Sequence, residues 1–312
     1  MRRSDITEFL LLGAIWGGSF PLMKTASPEF GPVPLIAVRV LIAAAFLGAI
    51  LSSRGALREA AAYPKKLLFL GALNSAIPFS LFAFATLSLP AGYSSVLNAT
   101  APLFAGLISM VFLGERWPIA RVAGLLLGFG GVVLLVWEKL GVAGDRVAIG
   151  AGLLAALCYG VSTHYTRRRL AGVNPIVIAG GSQIAAAMLL LPLAAVMPPA
   201  AVPSSAAWAA AVALGIVCTG LAYVLYFRLI KNIGPSRAIT VTYLIPAFGV
   251  LWSAIFRGEP LHPTMLAGGA TILLGTWLAA RFAAPGKIAP GARTGAAHCE
   301  RADLARDREG LP

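Results

Sequence analysis

The stretch 102-PLFAGLISMVFLGE-115 returns as 246-PAFGVLWSAIFRGE-259, 144 residues on and without a gap. Pro102 and Pro246, Phe104 and Phe248, Ser109 and Ser253, Phe112 and Phe256, and the closing pairs Gly114-Glu115 and Gly258-Glu259 share that offset; Gly124 and Gly268 extend it. A fainter echo, 143 residues apart, pairs Trp16-Gly17 with Tyr159-Gly160. Self-similarity at a fixed separation marks one unit written twice. Both copies lie in strongly apolar sequence, so what is duplicated is a set of membrane-spanning segments.

Of the 312 residues 58% are hydrophobic and only 12% charged, with a mean hydropathy of +0.83. Ordinary globular domains are about a quarter charged. Ten apolar stretches run near residues 6–25, 33–52, 67–88, 91–113, 118–137, 148–166, 175–196, 206–228, 235–256 and 263–282. Each has about the 20 residues that cross a roughly 30 Å hydrocarbon core as a helix. They are continuous rather than alternating, and an open sheet in lipid would leave backbone groups unpaired. The expected fold is therefore all-α integral membrane, with ten transmembrane helices. Five helices per copy is an odd number, so the second copy enters from the opposite side and the halves form two inverted five-helix repeats. The expected units are residues 1–140 and 147–283, followed by a disordered cytoplasmic tail over 284–312, which has no apolar face.

The net charge of +13 invites a nucleic-acid reading, and its distribution argues against one. Of the 25 basic residues, twenty fall in the tail or in loops on one side, among them Arg2, Arg3, Lys65, Lys66 and the run Arg167-Arg168-Arg169. The other side has Lys24, Lys139, Arg146 and Arg257, and Arg39 lies within a span. Under the positive-inside rule both termini are cytoplasmic, and the expected location is the cell inner (plasma) membrane, multi-pass. The first span is long and no small-residue cleavage site follows it, so it reads as retained rather than as a signal peptide. Cys158 and Cys218 within spans and Cys299 in the tail have no CxxC spacing, and neither a metal site nor a cofactor is expected. A nucleophile–base pair, HExxH, P-loop or paired intramembrane carboxylates would be needed for an ATPase or hydrolase. None is present, so the chain does not read as an enzyme.

The five-helix unit closing in a Pro-centred helix and Gly-Glu, seen twice, resembles the EamA family of the drug/metabolite transporter superfamily. Ile15-Trp16-Gly17-Gly18-Ser19-Phe20, Val38-Arg39 and Gly220-Leu221-Ala222-Tyr223 match the family as well, and the resemblance covers roughly residues 6–282. It implies a ten-helix bundle whose central cavity is lined by spans one to four and six to nine, with five and ten peripheral. It also implies export of small metabolites, commonly amino acids and related compounds.

The candidate cavity residues are Trp16, Ser19, Arg39, Asn74, Ser75, Tyr93, Asn98, Thr100, Gln183, Thr219, Tyr223, Thr242 and Tyr243. Arg39 is the one basic residue well inside a span. A central arginine costs about 2.5–3.5 kcal/mol on insertion scales, so such residues face a bundle interior or water. Its planar fork suits a substrate carboxylate; snorkelling to headgroups, or capping a neighbouring helix, are the structural alternatives. Any neutral polar residue of the set is equally able to bond across helices for about 0.6 kcal/mol. Pro102 and Pro246, near mid-span, are candidate hinges or kinks, each freeing one carbonyl; Pro78 has no repeat partner.

Glu115 and Glu259 end their spans, where an acidic residue opposes the helix dipole. They read as gating or structural clamps paired with basic neighbours, Arg116 and Arg121 for the first and Arg257 for the second. Tyr93 lies close to an interface, so belt is its alternative to the cavity, and His164 reads as a surface group beside Arg167-Arg168-Arg169. Gly124-x3-Gly128 with Gly131 is a close-packing ridge for a helix of the same chain or for a homodimer.

The expectation is a permease that moves small metabolites, exporting amino acids or related amphiphilic compounds by alternating access. Its partners are a small-molecule substrate and the lipid bilayer, not nucleic acid. A flippase for lipid or lipid-linked sugar, and a non-transporting membrane partner protein, are the alternatives.

Overall fold

The computed structural model describes residues 2–112 and 118–281, apart from the side chains of Glu138 and Ser236. Among the described residues ten helices are long and apolar enough to cross a membrane: α1 Arg3–Phe30, α2 Pro32–Ser53, α3 Pro64–Ser88, α4 Ala91–Phe112, α5 Ile119–Val136, α6 Ala143–Arg169, α7 Pro175–Val196, α8 Ser205–Ile233, α9 Ile239–Arg257 and α10 Pro263–Arg281. Each expected stretch has its helix, and no strand occurs among the described residues. Glu115, with its partner candidate Arg116, and the tail over 284–312 lie outside the described residues.

Local chemistry sets where these helices begin. Pro32, Pro64, Pro175 and Pro263 open α2, α3, α7 and α10 at a position where no amide hydrogen is needed. Asn174 and Ser204 cap α7 and α8, accepting hydrogen bonds of 3.2 Å from Ile176 N–H and Ala207 N–H.

The prolines of the duplicated stretch do not bend an otherwise intact helix. α4 is interrupted by a turn at Ala99-Thr100 and resumes as Ala101–Phe112, so Pro102 is the second residue of its later half. α9 opens with a 3₁₀ turn, Ile239–Tyr243, and becomes α-helical at Leu244, with Pro246 third. Without their N–H groups these prolines cannot bond the carbonyls of Asn98 and Thr242, and the ladder opens just ahead of each.

Neighbouring helices pair in a regular way. α5 packs most extensively on α10 and reaches the rest chiefly through α4; α2 pairs with α7, α1 with α9, and α6 with α3 and α4. Glycines bring the backbones together. A Cβ on Gly124 would come within 2.6 Å of Ala279 N, and one on Gly268 within 2.9 Å of Leu135 Cα. One on Gly17 would meet Gly249 N at 2.8 Å, and one on Gly160 would meet Ala105 N at 2.9 Å. Adding the 144-residue offset (143 from the first helix) to one member, and removing it from the other, turns each contact of a pair into its companion. The Gly124/Gly128/Gly131 ridge is thus filled within the chain by α10, where Gly268, Ile272 and Gly275 meet it.

Candidate functional site

α3 and α8 each contain a π-helical segment, Ala72–Ala76 and Ile216–Leu221, and the two begin 144 residues apart. Such widened turns recur at functional sites because they interrupt the regular ladder. In α3 the cause is local: Pro78 supplies no N–H for the Asn74 carbonyl, and Ile77 N–H bonds the Ala72 carbonyl five residues back. In α8 the Thr219 hydroxyl donates to the Leu214 carbonyl, also five residues back, at 2.8 Å.

A glycine precedes each π segment and admits a neighbouring helix. The space a Cβ on Gly215 would need is taken by Ile42 and by the Arg39 carbonyl, 3.0 Å away; at Gly71 the obstacles are the Ser182 carbonyl and Ala186 N. This close approach carries α2 to α8 and α7 to α3. Arg39 Nε then donates to Thr219 Oγ1 at 3.0 Å, and Gln183 Nε2 donates to Ser75 Oγ at 2.7 Å. Gln183 follows Arg39 by 144 residues, as Thr219 follows Ser75. The centre therefore holds the same bond twice, once from a cation and once from a neutral amide.

Arg39 is only 3% exposed, which removes snorkelling as its explanation. Its guanidinium carbon stands 3.9 Å from the centroid of the Phe79 ring, and Nη1 faces Met23 Sδ at 3.9 Å. A charged hydrogen bond is worth about 1.5–3 kcal/mol and a desolvated cation–π contact about 2 kcal/mol. Together, at about 3.5–5 kcal/mol, these offset the roughly 2.5–3.5 kcal/mol insertion cost, so the side chain can stay folded inward with its charge uncancelled. No carboxylate forms an ion pair with it among the described residues; the pairs present there are Lys139–Asp145 and Arg228–Glu8.

Around this pair, Asn74 Nδ2 donates to the Tyr223 hydroxyl at 3.2 Å, and Ser162 Oγ donates to Asn74 Oδ1 at 3.1 Å. Tyr223 lies beside Gln183 and within the field of Arg39. Trp16 meets Tyr226 in a tilted contact at 5.4 Å between centroids, while Tyr159 stacks on Phe82 at 6.2 Å. Ser19 is buried beside Cys218.

Arg39, Asn74, Gln183 and Tyr223 thus converge from four helices. Asn98, Thr100, Thr242 and Tyr243 lie instead at the breaks in α4 and α9, and no hydrogen bond ties them to this centre among the described residues. Thr100 donates to the Leu97 carbonyl and Thr242 to that of Ile239, at 2.7 and 2.8 Å, which satisfies both within their own turns. Ser75, Thr219, Phe79 and Met23 complete the centre. Ser75 and Thr219 are among the candidate cavity residues; Phe79 and Met23 are not, since an apolar residue within a span carries no signal that singles it out.

The hydrogen-bonded core of the centre is closed, with Ser75 and Gln183 0% exposed and Thr219 1%, while Asn74 and Tyr223 are half-buried. An open groove of about 270 Å³ lies elsewhere, between α1 and α9, lined by Gly18, Pro21, Leu22, Thr25, Trp252, Phe256 and Arg257.

Glu259 differs from expectation in its partner. Gly258, at a φ of +62°, ends α9 in the left-handed conformation and turns the next side chain aside. The Glu259 carboxylate then accepts from Ala91 N–H at 2.9 Å and Gly92 N–H at 3.1 Å, capping α4, where the helix dipole favours it. Arg257 instead donates to Thr25 Oγ1 at 2.9 Å, and Lys24 Nζ donates to the Leu89 carbonyl at 3.2 Å. Two other surface readings change as well. Tyr93 is 2% exposed and cannot be belt, and half-buried His164 donates from Nε2 to the Ala105 carbonyl at 2.7 Å, tying α6 to α4.

The model of the EamA-like transporter family matches residues 6–137 and again residues 146–281. The chain is similar to "Uncharacterized transporter YvbV" of Bacillus subtilis, 27% identical over 86% of this chain and 88% of that one. It is also similar to a "Probable terminal-alkyne amino-acid exporter" of Streptantibioticus cattleyicolor, 27% identical over 89% of this chain and 94% of that one. A solved crystal structure superposes with a TM-score of 0.63 over 89% of this chain and 98% of its own, at 22% identity, which speaks to the fold alone.

Proposed function

This chain belongs to the EamA-like transporter family, and from that premise we propose that it is a permease exporting amino acids or related small amphiphilic metabolites by alternating access. The observation that carries the reading is Arg39: a buried cation, held inward by Thr219 and Phe79, with no carboxylate paired to it among the described residues. A substrate carboxylate is the group that its planar fork would take bidentately. The exporter of Streptantibioticus cattleyicolor, whose name specifies an amino acid, supports the substrate class.

The reciprocal glycine contacts and the doubled hydrogen bond support two inverted five-helix units, 1–140 and 147–283, related by a pseudo-twofold axis in the membrane plane. In this arrangement both termini are cytoplasmic, the protein resides in the inner membrane, and the two units rock about a midplane centre. Opening on one side exchanges bonds within the centre for bonds to substrate.

Efflux of a pool of labelled amino acids from proteoliposomes tests the function. Purified wild type should exceed protein-free vesicles, and Arg39→Gln should reduce efflux by about two orders of magnitude, the loss of a buried charged contact of roughly 3 kcal/mol. Wild-type efflux at background, or an Arg39→Gln variant equal to wild type, would overturn the reading. The groove between α1 and α9 favours one second reading, passage of lipid, since it opens between two spans. Movement of a fluorescent phospholipid between leaflets, without amino-acid efflux, would select it.

A further inference from the structure

The two sides of the polar centre are alike in position and unlike in chemistry. One carries a cation bonded to Thr219 and stacked on Phe79. The other, related to it by the same 144-residue offset (forward for Arg39 and Phe79, backward for Thr219), carries the Gln183 amide bonded to Ser75, with Tyr223 in the place of Phe79. We propose that this mismatch reads the two ends of the substrate, its carboxylate on Arg39 and an N–H donor on Gln183 Oε1, so that Gln183 selects nitrogen-bearing acids over plain carboxylic acids. The inference rests on the transport function proposed above and deepens it.

Two unmet groups carry the argument. Gln183 is 0% exposed; its Nε2 is spent on Ser75, and its Oε1 is buried with no hydrogen bond of good geometry among the described residues, the Tyr223 side chain being the polar group beside the amide. Buried acceptors are nearly always satisfied, and a lasting exception calls for a use. Arg39 has its Nε occupied by Thr219, while Nη1 meets only the soft Met23 sulfur at 3.9 Å. One side therefore lacks an anion and the other lacks a donor. A ligand with a carboxylate and an N–H group supplies both.

The neutrality of Gln183 matters as much as its oxygen. A second arginine there would draw a dicarboxylate. A carboxylate there would neutralise Arg39 and close the site to anions. A site that hydrogen-bonds a substrate N–H rejects the analogue lacking it, because its own buried group is left unpaired.

The test uses the purified full chain in detergent and two probe pools: amino acids, and the corresponding carboxylic acids with hydrogen in place of the amino group. The readout is the concentration of each pool that gives half-maximal thermal stabilisation. Wild type should need at least tenfold less of the amino-acid pool than of the deaminated pool. Gln183→Met should bring that ratio close to one while still responding to both pools, and Arg39→Gln should respond to neither. Gln183→Leu serves if the methionine variant folds poorly.

Equal half-effect concentrations for wild type, or an unchanged ratio in both Gln183 variants, would overturn the inference. The parallel efflux assay separates the two readings: amino-acid efflux with a ratio of one removes only the role of Gln183. Absence of both stabilisation and efflux removes the transport function with it.

Discussion

The seam between α5 and α10 and the junctions at the π segments of α3 and α8 both depend on glycine, to opposite ends. Along α5 and α10 the glycines Gly124, Gly128, Gly131, Gly268 and Gly275 bring backbone against backbone, and the atoms that meet are other glycines, aliphatic side chains and main chain. At the π segments, Gly71 and Gly215 bring the neighbouring helix close enough for a polar side chain to reach a hydroxyl. The first contact has nothing to exchange with a ligand. The second is made of bonds that a ligand can replace. Close packing thus fixes one region and arms the other.

The largest effect should follow from breaking the apolar seam. Gly124→Leu and Gly268→Leu each force a side chain into space held by the opposite backbone. Overpacking of this kind costs about 1–3 kcal/mol, and the double variant should lose monodispersity on size exclusion and melt well below wild type. A double variant that melts as wild type would mean that the seam is not the rigid element.

At the centre, Thr219→Val keeps the shape and removes the acceptor of Arg39. A charged hydrogen bond of about 1.5–3 kcal/mol is lost, so thermal stability should fall by that order and amino-acid efflux by about tenfold. The smallest effect belongs to the neutral side, where Ser75→Ala should cost about 1 kcal/mol, the worth of an ordinary hydrogen bond. If Ser75→Ala proved as damaging as Thr219→Val in the same melting assay, the contrast between charged and neutral sides would fail.

Hydropathy disclosed the ten long apolar helices of the described residues because it reports which segments lipid will solvate, and the 144-residue offset disclosed which positions correspond. Neither reports neighbours. The partner of Glu259 was not legible: the left-handed turn at Gly258 points the carboxylate at the amides of Ala91 and Gly92 rather than at Arg257. Tyr93 looked interfacial by its position near a span end, whereas burial depends on the helices packed over it. The π segments leave no periodic trace, since one arises from a missing amide hydrogen at Pro78 and the other from a hydroxyl at Thr219. Arg39 was identifiable as the odd charge in a span; that it turns inward to α8 required the gap left by Gly215.

The 144-residue link between Arg39 and Gln183 bears on why the two halves share one chain. Two separate copies of a single five-helix gene product would meet as equals across their axis, because self-association repeats every residue on both sides. Such a dimer would set two arginines in one dry centre, or two glutamines. Covalent fusion frees each half to accept its own substitutions, and a centre with a cation on one side and a neutral amide on the other becomes accessible only then.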